Sequence, residues 1–283
     1  MKIWNGALGV CLAIGFTTAA IGMAPAHAAD MPPLPAAIKE QGVLRVGVRC
    51  DYPPDGYYDG SGKPVGVEVE FAKQIAKYAF GDDGKTELVC VTAANRVPTL
   101  IGNKVDLLIA TLGISDERKQ VIDFSEPYTW SASSVIVPKD SAVQKMSDLS
   151  GQTVIVLKGA WQIPWFEKNM PDTKLMKLDT VSDALQAMVQ GRGAGYAHDY
   201  AAQVAIGDKN DRVRMLDDRY QLGYRGIGLR KGEEELKTYL NAAIERARQD
   251  GVVAGWIKAY SEPELAEVRS DLWDLSKAPT QGQ

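Results

Sequence analysis

Short apolar runs suited to strands alternate along most of this chain with segments whose apolar residues recur at helical spacing. That alternation confines the chain to an α/β fold built on parallel strands and crossover helices. VLRVGV, from Val43 to Val48, alternates apolar and polar residues as a strand does. The turn-rich CDYPPDGYYDGSGKP follows, and VEVEFAKQIAKYAF then places Phe71, Ile75, Tyr78 and Ala79 on one helical face. ELVCV and VDLLIA read as two further strands, with the Pro-interrupted helical stretch RVPTLIGN between them. A second unit begins after SEPYTW. SSVIV and TVIVL are strands there, and VSDALQAMVQG is a helix with Val181, Ala184, Leu185, Met188 and Val189 on its apolar face, stopping at Gly191. AGYA and VRML complete another βα pattern, and Leu236, Tyr239, Leu240, Ala243, Ile244 and Ala247 form an amphipathic stripe before a tail that contains Trp256.

The N-terminus has the form of a secretory leader. Lys2 supplies a charged start, an apolar run extends from Ala7 to Ile21, and AHA at residues 26–28 offers small residues for cleavage before Ala29. The run is too short, and too interrupted by Gly and Thr, to anchor the chain in a membrane. Cys11 follows Val10 inside that run and fits a lipoprotein cleavage site poorly. Cleavage after Ala28 removes Lys2 as the leader's only charge and leaves the chain slightly more acidic than its formal net charge of −4. That acidity argues against a nucleic-acid partner. His198 is the only histidine left in the mature chain, so a histidine-rich metal site is excluded. No CxxC, HExxH, GxSxG or phosphate-loop motif is present. Cys50 and Cys90 each stand toward the end of an expected strand, where either a disulfide or two buried thiols is open.

The most telling stretch is IATLGISDERKQVIDFSEPY, from Ile109 to Tyr128. A strand opens there into a turn with Thr111, Gly113 and Ser115, and a lone cation, Arg118, then arrives within a run of acids. Small residues let main-chain N–H groups approach a ligand, hydroxyls add donors, and a guanidinium offers a planar fork to a carboxylate. Such a site grips an anion. The bland alternative is an arginine pairing with Asp116 or Asp123 on a solvated helix face.

Thr111, Ile114, Ser115, Glu117, Arg118, Phe124, Ser125, Pro127 and Tyr128 match the corresponding region of bacterial periplasmic solute-binding proteins of the polar amino acid type, family 3, which the chain resembles over nearly its whole mature length. The resemblance implies a type II periplasmic-binding fold of two α/β lobes joined by a two-segment hinge, with the ligand in the cleft. The extended segments SEPYTWSASSVIV and YQLGYRGIGLRKG mark the two crossings. Lobe 1 is then discontinuous, residues 42–130 plus 226–283, and lobe 2 is residues 131–225. In the family the arginine at position 118 holds the ligand's α-carboxylate and an acid at the place of Asp199 meets its α-ammonium. An arginine at the place of Arg96 meets the side-chain carboxylate in aspartate- and glutamate-binding members.

Ligands of α/β sheets sit beyond the carboxyl ends of strands. The expected ligand-binding set is therefore Asp51, Tyr52, Arg96, Thr111, Gly113, Arg118, Ala160, Trp161 and Asp199. Asp199 could instead cap the helix starting at Tyr200, Arg96 could be a solvated helix start, and Trp161 could be plain packing. Two departures stand out. Asp55 occupies the place of a phenylalanine lid, with Tyr52, Tyr57 and Tyr58 as substitutes, and Trp161 replaces a hydroxyl residue.

The function implied is the periplasmic substrate-binding component of an ABC importer. It is expected to act as a monomer without a cofactor, closing on a polar, acidic amino acid or related carboxylate and docking on a membrane permease. Two alternatives share the fold, a sensor subunit and a cyclohexadienyl-dehydratase-like enzyme using Asp51, Asp55 or Glu68. N-terminal sequencing of the protein from the cell envelope is expected to begin at Ala29. An intact Met1 on a cytoplasmic or membrane-integral protein would contradict export.

Overall fold

The computed structural model describes residue 1 and residues 31–279, so the expected leader and its cleavage site lie outside the described residues. The chain builds α1 (Ala36–Gln41), β1 (Leu44–Arg49), β2 (Asp51–Tyr52), β3 (Gly56–Tyr58), β4 (Pro64–Val65), α2 (Val67–Phe80), β5 (Thr86–Val91), α3 (Arg96–Ile101), β6 (Leu107–Ile109) and α4 (Asp116–Lys119). A long strand, β7 (Asp123–Pro138), leads into β8 (Thr153–Leu157), α5 (Gln162–Asn169), β9 (Lys174–Leu178), α6 (Val181–Val189), β10 (Gly195–Asp199), α7 (Tyr200–Lys209) and β11 (Val213–Met215). The chain returns through β12 (Tyr220–Leu229) and ends in α8 (Glu234–Gln249), α9 (Val252–Tyr260) and α10 (Pro263–Trp273).

Nine strands form one sheet in the order β5-β1-β6-β12-β7-β10-β8-β9, with β11 paired to β7. β1 runs parallel to β5 and β6, and β8 runs parallel to β9 and β10, as the strand–helix alternation requires. The two extended segments that looked like crossings are β7 and β12. They pair antiparallel from Asp123 opposite Leu229 to Ser133 opposite Tyr220, with irregularities along the ladder. β7 continues past this ladder to pair with β10 and β11, so one strand belongs to both halves of the sheet.

Each half has its own apolar core. On one face α2 and α8 bury Phe71, Ile75, Tyr239, Leu240 and Ile244 against Val46, Val48 and Leu107. All six residues of the α8 stripe are buried, and each fully buried leucine or isoleucine there contributes about 1.5–3 kcal/mol. Val135, Val154, Val156, Phe166 and Tyr220 form the corresponding core on the other side of β7.

Helix α6 departs from expectation. It buries Ala184, Ala187 and Met188, whereas Val189 is exposed and Val181 and Leu185 are half-buried. Val181 and Leu185 still pack against the core under the helix, so the departure is confined to Val189. The turn-rich segment after Cys50 also differs, since β2, β3 and β4 within it form a separate three-stranded antiparallel sheet. No helix among the described residues is long and apolar enough to cross a membrane.

Cys50 and Cys90 are joined as a disulfide, with their Cα atoms 5.5 Å apart. In the parallel ladder Val48 lies opposite Cys90 and the pairing ends at Arg49, so Cys50 stands where the chain leaves the ladder, with a Cα separation that suits a disulfide. The bond closes a loop spanning 40 positions of sequence. Replacing both cysteines by alanine is expected to lower unfolding stability by about 2–4 kcal/mol in urea titrations. An unchanged midpoint would show that the crosslink restrains nothing in the unfolded chain.

Candidate functional site

The expected site residues converge where β1, β6 and β10 end, beside the β7–β12 ladder. Thr111 lies just past β6 with φ of 49°, a left-handed conformation that is rare for a β-branched residue. What holds it there is Glu68 on α2, whose carboxylate accepts the Thr111 N–H at 2.8 Å and the Tyr128 hydroxyl at 2.5 Å. Backbone strain held by a buried carboxylate is the kind that collects at functional sites.

Arg118 sits on α4, where the Ser115 side chain accepts its backbone N–H. Its guanidinium donates to the Gly113 carbonyl at 2.6 Å and to the Gly159 carbonyl at 2.9 Å, tying the turn after β6 to the turn after β8. Two of five N–H donors are thereby used, and three remain. Neither Asp116 nor Asp123 pairs with it; among the described residues Asp116 meets Lys119 and Asp123 meets Lys231. Arg96 at the start of α3 is buried rather than solvated. It donates to the carbonyls of Ala110 at 2.5 Å and Thr111 at 3.0 Å, and its Nε has no partner among the described residues. Burial, and next the charges of Arg118 and Arg49, hold its pKa well below the usual arginine value. Burial lowers that of Arg118 too. Among the described residues neither guanidinium has a carboxylate within ion-pair distance, although the charge of Asp199 acts on both from farther away.

Trp161, at the entry to α5, reaches between the two halves. Its indole packs on Gly113 and Gly223, and a Cβ at Gly223 would come within 2.3 Å of the ring, so only glycine fits there. Gly159 likewise meets the other half closely, with φ of 71° and room for no side chain against the Ala93 carbonyl. Ala160 lies between them, half-buried. Together with Arg96, Arg118, Gln221 and Gly223, Ala160 and Trp161 line a cavity of about 1550 Å³. It extends outward past Glu117, Lys119 and Lys231, so this volume takes in the mouth of the cleft as well as a solute seat.

Asp199 ends β10 and is buried, and its side chain caps no helix. Its Oδ1 accepts from Trp161 Nε1 and from Gln162 Nε2, each at 2.9 Å. Its Oδ2 accepts from the Tyr52 hydroxyl at 2.8 Å and from Arg225 at 2.5 Å. Burial opposes its charge, but Arg225 and these hydrogen bonds outweigh that and hold the carboxyl well below the usual range. Asp199 does not line the large cavity. Asp51 pairs with Arg49 at 2.7 Å, and Asp51 and Tyr52 line a smaller cavity of about 320 Å³ with His198.

Asp55, expected as the counterpart of a lid against ligand, is instead buried and ion-paired to both Arg225 and Arg269. A carboxylate between two guanidiniums is held inside the fold, which leaves no side chain to cover a solute. Arg225, Arg49, Arg269 and Gln162 are the site residues that sequence reasoning missed. Arg225 did leave a signal, a single charge amid glycines in the otherwise uncharged run YQLGYRGIGL.

His198 is buried beside Tyr52 and Tyr196, its Nε2 lacks a partner, and burial pushes its pKa down to about 4. The unfolded chain takes up this proton near pH 6.5, so as pH falls from there toward 4 the folded state loses stability, by about 3 kcal/mol in the limit. Urea titrations across that range are expected to show His198→Phe gaining stability relative to the unaltered chain as pH falls. Parallel pH profiles would contradict a neutral buried imidazole.

Comparison with known proteins follows this geometry. Residues 44–262 match the family described as bacterial extracellular solute-binding proteins, family 3. The chain is 29% identical over 229 residues to an ABC transporter glutamine-binding protein of Bacillus subtilis, covering 79% of this chain and 84% of that one. Among solved structures it resembles a solute receptor for L-cysteine of Neisseria gonorrhoeae, with a TM-score of 0.77 and 34% identity over 81% of this chain and 97% of that one. An ancestral amino acid-binding protein described as a precursor of cyclohexadienyl dehydratase gives a TM-score of 0.72 at 27% identity, over 80% and 98% of the two chains.

Proposed function

The chain belongs to family 3 of the bacterial extracellular solute-binding proteins, and from that premise we propose that it is the substrate-binding component of an ABC importer. Its fold is the type II periplasmic-binding one. We place lobe 1 at residues 42–130 plus 226–283 and lobe 2 at residues 131–225, and this division is supported by the two separate apolar cores on either side of β7. Closure brings the lobes together through contacts such as Arg118 to Gly159 and Tyr52 to Asp199, and presents a membrane permease with a surface that the open form lacks. The protein acts as an exported, periplasmic monomer in this reading.

The solute is a small acidic molecule of the amino acid or related carboxylate class. The observation that carries this is the pair of guanidiniums at the cavity wall, Arg96 and Arg118, with no carboxylate in ion-pair reach of either among the described residues. Arg118 keeps three donors for an α-carboxylate, and Arg96 favours a negative group at the solute's other end. Of the expected residues we assign this role to Arg96, Arg118, Ala160 and Trp161, which line the cavity, while Asp51, Tyr52, Thr111, Gly113 and Asp199 do not line it and are given supporting places.

A dehydratase-like activity rests on Glu68, which burial lifts to about 7. Its oxygens are occupied by Tyr128 and Thr111, and it does not line the cavity, so we read it as a support for Thr111 and the chain as a binding protein.

Calorimetry is expected to show glutamate or aspartate binding more tightly than glutamine or asparagine. Arg96→Gln should narrow that difference, and Arg118→Ala should cost about 2–5 kcal/mol of binding. Unchanged affinity in Arg118→Ala would mean that the carboxylate is held elsewhere.

A further inference from the structure

Asp199 is already saturated. A carboxylate has about four lone-pair sites, and here four protein donors fill them: Trp161, Gln162, Tyr52 and Arg225. An ammonium group arriving at Asp199 would have to displace one of these donors. Displacing Arg225 would leave that guanidinium buried with Asp55 alone, at 3.4 Å, while Asp55 already pairs with Arg269. The two carboxylates and two guanidiniums of this group balance one another within the fold, and a further cation would leave buried positive charge uncompensated.

The balance differs at Arg96 and Arg118, which line the cavity and whose partners among the described residues are carbonyl oxygens and the Thr111 hydroxyl. Two cations with no ion-paired carboxylate among the described residues match a dianion. Resting on the importer reading, we propose that the solute is a small dicarboxylate that lacks an α-ammonium group. Asp199 then serves to lock Arg225 and to orient Trp161, and it makes no direct contact with the solute. Trp161 supports this placement, since it lines the cavity and donates to Asp199, which does not.

The test uses solutes that differ only in a hydroxyl for an ammonium. Calorimetry of the full exported protein is run with 2-hydroxyglutarate against glutamate and with malate against aspartate, together with Arg118→Ala and Arg225→Met. The hydroxy acid of at least one pair is expected to bind about tenfold tighter or more than its amino counterpart, and to lose that affinity in Arg118→Ala. Arg225→Met frees one acceptor position on Asp199 Oδ2, which keeps the Tyr52 hydroxyl, and leaves Asp55 to Arg269, so the preference is expected to narrow or reverse. Tighter binding of the amino acids by the unaltered protein, still lost in Arg118→Ala, would overturn this inference and leave the importer reading standing. No binding by any of the four, or binding that ignores Arg118→Ala, would overturn both. A hydroxy-acid preference that survives unchanged in Arg225→Met would overturn the role given to Asp199. Should Arg225→Met fail to fold, the ratio measured on the unaltered protein decides.

Discussion

A buried chain of charges, Arg269 to Asp55 to Arg225 to Asp199, is the constraint on which the rest of this site depends. It begins on the C-terminal helix α10, passes the loop after β2 and the β12 strand, and ends at the tip of β10. Removing one partner from such a buried group leaves an uncompensated charge and costs about 3–5 kcal/mol, so each member fixes the others. Asp199 in turn orients Trp161 and Tyr52, and Trp161 sets the spacing of Gly113 and Gly223 around the cavity.

Arg96 and Arg118 gain their chemical meaning from that chain. Because Asp199 and Asp55 are held by Arg225 and Arg269, neither forms an ion pair with these two guanidiniums, whose hydrogen bonds go to carbonyl oxygens and the Thr111 hydroxyl. Glu68 strengthens the arrangement indirectly by holding Thr111 in its left-handed conformation, which turns the Ala110 and Thr111 carbonyls toward Arg96. Strain at Thr111 and electrostatic deficit at Arg96 are thus two faces of one local geometry.

Much of the fold was legible because it rests on local periodicity. The α8 stripe and the parallel β1, β5 and β6 set follow from apolar spacing alone. Helix α6 differs from its sequence pattern at Val189 alone, because spacing does not say where a broad apolar face ends. At the site, the motif around Arg118 was readable as a carboxylate grip because its residues are neighbours in sequence. The pairing of Asp55 with Arg225 and Arg269 was not, since those partners lie 170 and 214 positions away and nothing local reports their meeting. The saturation of Asp199 was hidden in the same way, by partners 26 to 147 positions away. An acid at the end of a strand looks the same in sequence whether it faces a ligand or an arginine.

The central claim is that Arg96 and Arg118 at the cleft have no ion-paired carboxylate among the described residues, and that Asp199 is already filled by protein donors and offers nothing to an ammonium. Mass spectrometry of whatever is released when the protein, isolated from its own cell envelope, is denatured tests this most directly. The account predicts a small molecule with two carboxyl groups that does not react with amine-labelling reagents. Release of a zwitterionic amino acid would contradict it.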